Sequence, residues 1–408
     1  MNNYAFIFRL IAGLLFIPYF AHCETRNEYD LFRQQCAALA QNAEKTGAMA
    51  VVGNDGWLFL SSELRHLGVG QFWGEAASRV SKATKPESAD PLPAIIDFND
   101  QLKKIGVELI LVPVPPKAVI YPDMLPGFTK TAGPPAKMDN WPAAGSVSNL
   151  PGRAPWPALG HRRSGSANLS SVATERHNTT VRLDRFHQEF YTLLQSKGIK
   201  VLDLTDFFLQ NKNHSQGPLY CRQDSHWSGN GCVLAAERIA AETCSSLGEG
   251  AQKTSAFKSD WLTIEINGDL WRSLNNKDIP REKICIRKIS KPGTDEPIEP
   301  DAESRVILLG DSHNLVFHAG EDMLFSGAGL PEQLAFALGA PIDLVAVRGS
   351  GATPARINLL RRTQQKKDYW KNKKCVIWCF SAREFTESDG WQKIPILPLN
   401  TPPQGPIE

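Results

Sequence analysis

Residues 305–313 read RVILLGDSH, a short apolar run with β-branched Val306 and Ile307 that stops abruptly at Gly310-Asp311-Ser312. Such a run is the pattern of a buried central strand, apolar on both faces, that ends in a tight turn. Glycine permits the turn, and the serine beyond it is presented at the strand tip. In an open parallel sheet that tip is where ligands bind. Ser312 is therefore a candidate nucleophile. A serine hydroxyl alone is a weak nucleophile at neutral pH, so this reading requires a base and an orienting acid elsewhere in the chain. The plain alternative is a turn serine capping the next helix, since Asp and Ser are ordinary caps.

Four more apolar runs set the context. ELILVPVPPK (residues 108–117) is a strand closed by prolines, which cannot continue a central ladder. GIKVLDL (198–204), IDLVAV (342–347) and KCVIWCF (374–380) complete the set. Helical spacing or caps predict helices over 26–46, 92–104, 182–197, 231–246 (capped by Ser228 or Asn230), near 331–339 and over 353–366. Asn54-Asp55-Gly56 predicts a turn before a strand at Trp57-Leu58-Phe59-Leu60. Two stretches resist assignment. Residues 128–180 are rich in Gly, Pro, Ala and Ser and read as a long inserted loop, with a substrate lid as the alternative and Arg162-Arg163 as solvated charge. Residues 250–300 are polar and irregular and contain Trp261 and Trp271.

Strands alternating with helices imply an α/β fold, a parallel sheet covered on both faces. Right-handed crossovers place every strand-to-helix loop along one edge. The loops after Pro113, Leu204, Leu309, Val347 and Phe380 should therefore meet. They would bring together Lys117, Asp224, His226, Ser312, Arg348, Ser350 and Arg383. Within that set, Asp224-Ser225-His226 has the spacing of an orienter and a base. The carboxylate can fix the imidazole tautomer, and the imidazole can take the proton of a serine. A surface turn with a helix-capping aspartate is the competing reading of that triplet. Acyl transfer also needs donors for an oxyanion. The Ser312 N–H and the loop Arg348-Gly349-Ser350-Gly351 are the candidates, because glycines let backbone N–H groups face a ligand; an ordinary strand-to-helix turn is the alternative. Trp227 and Trp391 could stack on sugar rings or simply pack.

Composition bears on location and partners. The 408 residues and 42% hydrophobic content can build a large core, and a formal charge of +2 gives no basis for nucleic-acid binding. Arg9 followed by LIAGLLFIPYFA (10–21) and Ala21-His22-Cys23 fits a secretory signal over residues 1–23. The run is short for a membrane span, which needs about 20 apolar residues. An uncleaved inner-membrane anchor over residues 4–21 is the alternative, and bulky His22 spoils a lipoprotein box. Residues 24–408 would then form one exported domain. Of eight cysteines, Cys375 and Cys379 stand too far apart along one strand to bond to each other. Cys36 with Cys244 is the candidate bridge. There is no zinc-type CxxC pair, and the chemistry calls for no metal or cofactor.

Taken together, GNDGWLFL (53–60), the strand-to-PPK segment (110–117), DSHW (224–227), GDSH (310–313) and the glycine loop 349–351 resemble the SGNH-hydrolase-like domain of periplasmic polysaccharide O-acetyltransferases of the alginate AlgX/AlgJ type. The DxHW block standing before the GDS block is the most specific part, since ordinary SGNH esterases carry the histidine block after the serine. The resemblance implies a flavodoxin-like three-layer α/β/α domain with a five-stranded, mainly parallel sheet. It implies Ser312 as nucleophile, His226 as base and Asp224 as orienter, with an acetyl-serine intermediate passed to a hydroxyl of an exopolysaccharide. It also implies a membrane-bound O-acyltransferase as the supplier of acetyl groups. Two departures stand out: the insertion at 128–180 is long, and no room follows Trp391 for a carbohydrate-binding module. A carbohydrate acetylesterase using the same residues, or a non-catalytic polysaccharide assembly factor, are the rival functions.

Overall fold

Five parallel strands form the centre of the molecule: β3 (Glu108–Val114), β4 (Lys200–Val201), β7 (Val306–Gly310), β8 (Asp343–Ala346) and β9 (Cys375–Ser381). Their order across the sheet is β4-β3-β9-β7-β8, and every pairing is parallel. All five coincide with the five apolar runs. The computed structural model describes residues 17–128, 181–247 and 257–397, and the side chains among them except at 17–27 and 244–247. The sheet and the site belong to the unit formed by Met1–Thr129 with Arg182–Glu408. The expected insertion lies outside the described residues beyond residue 128, as does the targeting segment up to residue 16.

Every residue of β7 and β9 is buried, as strands covered on both faces must be. Alternate residues feed two separate cores. Ile110, Val112, Leu308, Ile377 and Cys379 point to one side, where they meet Phe32 and Cys36 of the helix Ile17–Thr46, Ile239 of the helix Gly229–Leu247 and Leu334 of the helix Leu330–Leu338. Leu109, Leu111, Ile307, Leu309 and Trp378 point to the other, against Ile95 and Phe98 of Pro91–Lys104, Phe190 of Arg185–Ser196 and Leu359 of Thr353–Gln365. Each fully buried Leu, Ile or Phe here contributes about 1.5–3 kcal/mol. Trp378 also donates its Nε1–H to the Gly351 carbonyl at 2.9 Å, tying the middle of the sheet to the loop after β8.

Smaller elements flank this frame. β1 (Ala50–Val52) and β2 (Leu58–Leu60) form an antiparallel hairpin, closed by the expected turn with Asp55 and Gly56 at positive φ. Ser228 is the cap of the helix Gly229–Leu247, accepting from Gly231 N–H at 3.1 Å. The unassigned stretch 250–300 contains an antiparallel pair, β5 (Lys258–Glu265) with β6 (Lys283–Ser290), and a short helix Asp269–Leu274 between them. Nearly every residue of β5 is exposed, so no apolar alternation marked it.

Cys36 is a free thiol, so the bridge to Cys244 is not formed. Cys36 lies on the inner face of its helix, fully buried among core side chains, and burial pushes its thiol well above the ordinary value. Cys221, Cys232, Cys285, Cys375 and Cys379 are free as well. No described helix is long and apolar enough to cross a membrane.

Candidate active site

The end of β7 is built for close approach. A Cβ at Gly310 would run into the carbonyl oxygen of Cys379 on β9 and the Asn314 side chain, so only glycine fits. Asp311 then crosslinks the turn. One carboxylate oxygen accepts from the His313 N–H at 2.9 Å, and the other accepts from the Ser381 N–H at the tip of β9 at 2.7 Å. Asn314 adds bonds to the carbonyls of Asp311 (3.1 Å) and Cys379 (2.8 Å). Burial opposes ionisation of Asp311. The adjoining His313 ring, the Arg383 guanidinium and the Ser381 N–H outweigh it and hold the carboxyl at about 2. His313 goes the other way: burial lowers it to about 4 despite its bond to Asp311.

Held on this braced turn, the Ser312 hydroxyl lies 2.7 Å from His226 Nε2. His226 Nδ1 lies 2.6 Å from Asp224 Oδ1, which also accepts the His226 backbone N–H at 3.0 Å. Three residue types in the expected order thus form one continuous hydrogen-bonded relay, although 86 positions separate His226 from Ser312. All three are buried, with Ser312 7% exposed. Burial disfavours an imidazolium at His226, yet the Asp224 carboxylate more than compensates and lifts the imidazole above its ordinary value. The Asp224 carboxyl is correspondingly held well below the usual carboxylate range, against its burial, by His226 and by the Asp269 N–H. That polarity suits an imidazole that takes a proton and hands it on.

The remaining expected residues divide. Lys117 reaches the site but does not face a ligand. Its buried ammonium donates to the carbonyls of Leu58 (2.6 Å), Arg222 (3.0 Å) and Asp224 (3.1 Å), clamping the turn that carries the relay. Trp57 and Phe59 wall in that ammonium at 5.3 and 5.4 Å from their ring centres. Arg383 donates to Ser381 Oγ at 3.3 Å, and its charge acts on Asp311, His313 and His226. Gly351 packs tightly on the backbone of Asp311, so the loop after β8 does touch the nucleophile turn. Gly349, at φ +99°, has open space around it. Ser350 Oγ accepts from the Ala352 N–H at 3.2 Å. Arg348 turns outward to an exposed ion pair with Asp322 at 2.8 Å.

Neither tryptophan offers a face to a sugar. Trp227 is fully buried, and its Nε1–H donates to the His313 carbonyl at 3.0 Å. It is a strut between the two halves of the relay. Trp391 is buried against Trp378, Phe380 and Phe385. Sequence reading also missed Asp269, whose N–H donates to Asp224 Oδ2 at 2.8 Å, and Glu384, a buried carboxyl pushed up to about 7 by burial against the charge of Arg383. Asp269 sits in the stretch without periodicity. A Gly-Asp step before Leu270-Trp271 was the one local sign of a helix start there.

Comparison with known proteins bears on the family and the fold. The family described as "SGNH hydrolase-like domain, acetyltransferase AlgX" matches residues 50–151 and 166–382. Among solved structures, the O-acetyltransferase domain of Pseudomonas putida AlgJ is similar in fold, with a TM-score of 0.52 and 20% identity over 83% of this chain and 92% of that one. Pseudomonas aeruginosa AlgX aligns with a TM-score of 0.48 and 17% identity over 82% of this chain, which spans 62% of its length. Comparison with curated proteins finds no match. The family match covers well over half of the chain, including Asp224, His226 and Ser312; this protein belongs to the SGNH-hydrolase-like family of the acetyltransferase AlgX.

Proposed function

We propose that this protein is an exported O-acetyltransferase that carries an acetyl group on Ser312 and delivers it to hydroxyls of an exopolysaccharide. The observation that carries the reading is the unbroken relay Asp224–His226–Ser312 at the C-terminal edge of the sheet. The family description supports acetyl transfer rather than another acyl chemistry. In the first half-reaction His226 Nε2 takes the Ser312 proton as Oγ attacks the carbonyl carbon of an acetyl donor. The tetrahedral intermediate collapses, the donor's leaving oxygen takes the proton from His226, and acetyl-serine remains. In the second, His226 removes the proton of a sugar hydroxyl, whose oxygen attacks the acetyl-serine. Collapse returns the proton to Ser312 and frees the acetylated sugar. The Ser312 N–H and the loop 349–351 are the candidate donors to the oxyanion in both steps. Alginate is the polymer that the family resemblance brings forward, with a membrane-bound O-acyltransferase as the source of acetyl groups on the periplasmic side.

Intact mass after exposure to a chromogenic acetyl ester tests the reading. One added acetyl group on the wild type and none on Ser312→Ala is the expected result; an unchanged adduct in Ser312→Ala removes the nucleophile assignment. Adding oligosaccharide then separates transfer from hydrolysis. Acetate release unaffected by sugar, with no acetylated sugar formed, would make the enzyme an esterase.

A further inference from the structure

The stretch between β5 and β6 closes over the turn that carries Asp224 and His226. Gly268 lies so close that a Cβ there would collide with the Gln223 carbonyl and stand 3.0 Å from the Asp224 Cβ. The Glu282 carboxylate accepts the N–H groups of Arg222 and Gln223 at 2.9 and 3.0 Å, and Trp271 N–H donates to the Gln223 carbonyl at 3.0 Å. At the centre stands Asp269. Its Oδ1 accepts the Ser225 N–H at 2.7 Å and its Oδ2 accepts the Ser225 hydroxyl at 2.5 Å, while its own N–H donates to Asp224 Oδ2. One side-chain nitrogen or oxygen from each of Asp224, His226 and Asp269 lies within 4.8 Å of the other two.

We propose that Asp269 is a positioning residue of the His226–Asp224 pair: it pins the Asp224-Ser225-His226 turn and sets a second negative charge beside the imidazole. This rests on the acetyl-transfer reading of Ser312, His226 and Asp224. Asp269 cannot replace Asp224 as the orienter. Its oxygens are taken by Ser225 and by the Leu270 N–H. It acts instead through the turn and through its field, which in a buried site is weakly screened. The charged and titratable groups around His226 are Asp224, Asp269, Arg383 and His313, with Asp311 behind His313 and Lys117 on the Asp224 carbonyl. Arg383 opposes imidazolium formation and Asp269 favours it. A second carboxylate therefore offsets the cation that the loop after β9 brings to the site.

The test is the titration of the His226 ring, followed by NMR in the full chain, for wild type and Asp269→Asn. The variant keeps the shape and can still accept from Ser225, but loses the charge. The His226 pKa is expected to fall by about one unit, and the acid limb of kcat/KM for an acetyl ester to move down with it. A drop in kcat of about tenfold with little change in KM is expected alongside, and Asp269→Glu should recover part of the shift. A folded Asp269→Asn protein whose His226 titrates with the wild type overturns the proposal, whatever its rate. An acetyl-enzyme that still forms in Ser312→Ala would instead overturn the catalytic reading, and the ring titration would still decide the role of Asp269.

Discussion

Two buried aspartates stand at opposite ends of the same parallel sheet. Asp343 opens β8 at the N-terminal edge and is fully buried. It accepts from the Lys373 ammonium at 2.6 Å and the Tyr369 hydroxyl at 2.6 Å, and it pairs with the Arg362 guanidinium. Lys373 also donates to the carbonyls of Ala302 and Ser304, both at 2.8 Å, so that network holds the first residues of β7 and β8 together. Asp224, at the C-terminal edge, is just as buried, but its main partner is an imidazole whose far nitrogen points at a hydroxyl. Burial is the same at both ends. What differs is the partner. Around Asp343 the lysine, arginine and phenol are spent on pairing and on backbone carbonyls, and none of them faces a group that could exchange a proton, so the carboxylate only holds strands together. Histidine can give its proton up, so the charge on Asp224 is available to stabilise an imidazolium that comes and goes.

The comparison breaks most sharply under truncation at the C-terminal edge. His226→Ala should lower acetyl-ester turnover per folded molecule about a thousandfold or more. A residual rate within tenfold of wild type would show that the relay is not the engine. The opposite edge should respond in the opposite way. Asp343→Asn leaves the buried Lys373 without its counter-charge and should cost about 3–5 kcal/mol of stability by chemical denaturation. The rate per folded molecule should stay unchanged; a fall in that rate would couple the two edges.

Acid sharpens the contrast next. His313 is lowered to about 4 from an ordinary 6.5, and the facing pair His66 and His187, 2.8 Å apart, is lowered by burial too. An imidazole depressed in the folded state binds fewer protons there than in the unfolded chain. Stability is therefore full above about 6.5 and falls as pH drops toward 4. His226, raised in the fold, works the other way: its contribution is full below its unfolded value and fades as pH rises through the folded one. His313→Asn should flatten the acid loss measured by urea titration between pH 6.5 and 4, and an unchanged slope would discount the burial of His313. The smallest effect belongs to Trp227→Phe. Its effect on the rate should be slight, while loss of the bond to the His313 carbonyl adds about 1 kcal/mol to the cost of the cavity left by the smaller ring.

Much of the frame could be read from residue order. Val306 to Leu309 and Cys375 to Phe380 are apolar without interruption because both faces of those strands are covered, and that signal survives without any neighbour in view. Ser312 was legible for the same reason, at the end of a run whose tip a right-handed parallel sheet brings to one edge, whereas Asp224 and His226, a whole helix beyond β4, were legible from their spacing as orienter and base. The roles of Trp227 and Arg348 were not legible. A buried strut and a sugar platform have the same side chain, and only packing distinguishes them. Arg348 stands in the right loop, yet Asp322, from a different turn, draws it outward.

By itself the sequence determined the α/β class and the five strands of the central sheet, and it singled out Asp224, His226 and Ser312 as candidates. Periodicity and turn chemistry are local, and they act over a few residues at a time. Only the tertiary structure decided that Cys36 stays a free core thiol, that Lys117 spends its charge on three carbonyls, and that Asp269 leans on the Asp224-Ser225-His226 turn. Those outcomes depend on which groups far apart in the chain come within bonding distance, where a shift of about an ångström decides whether a hydrogen bond exists.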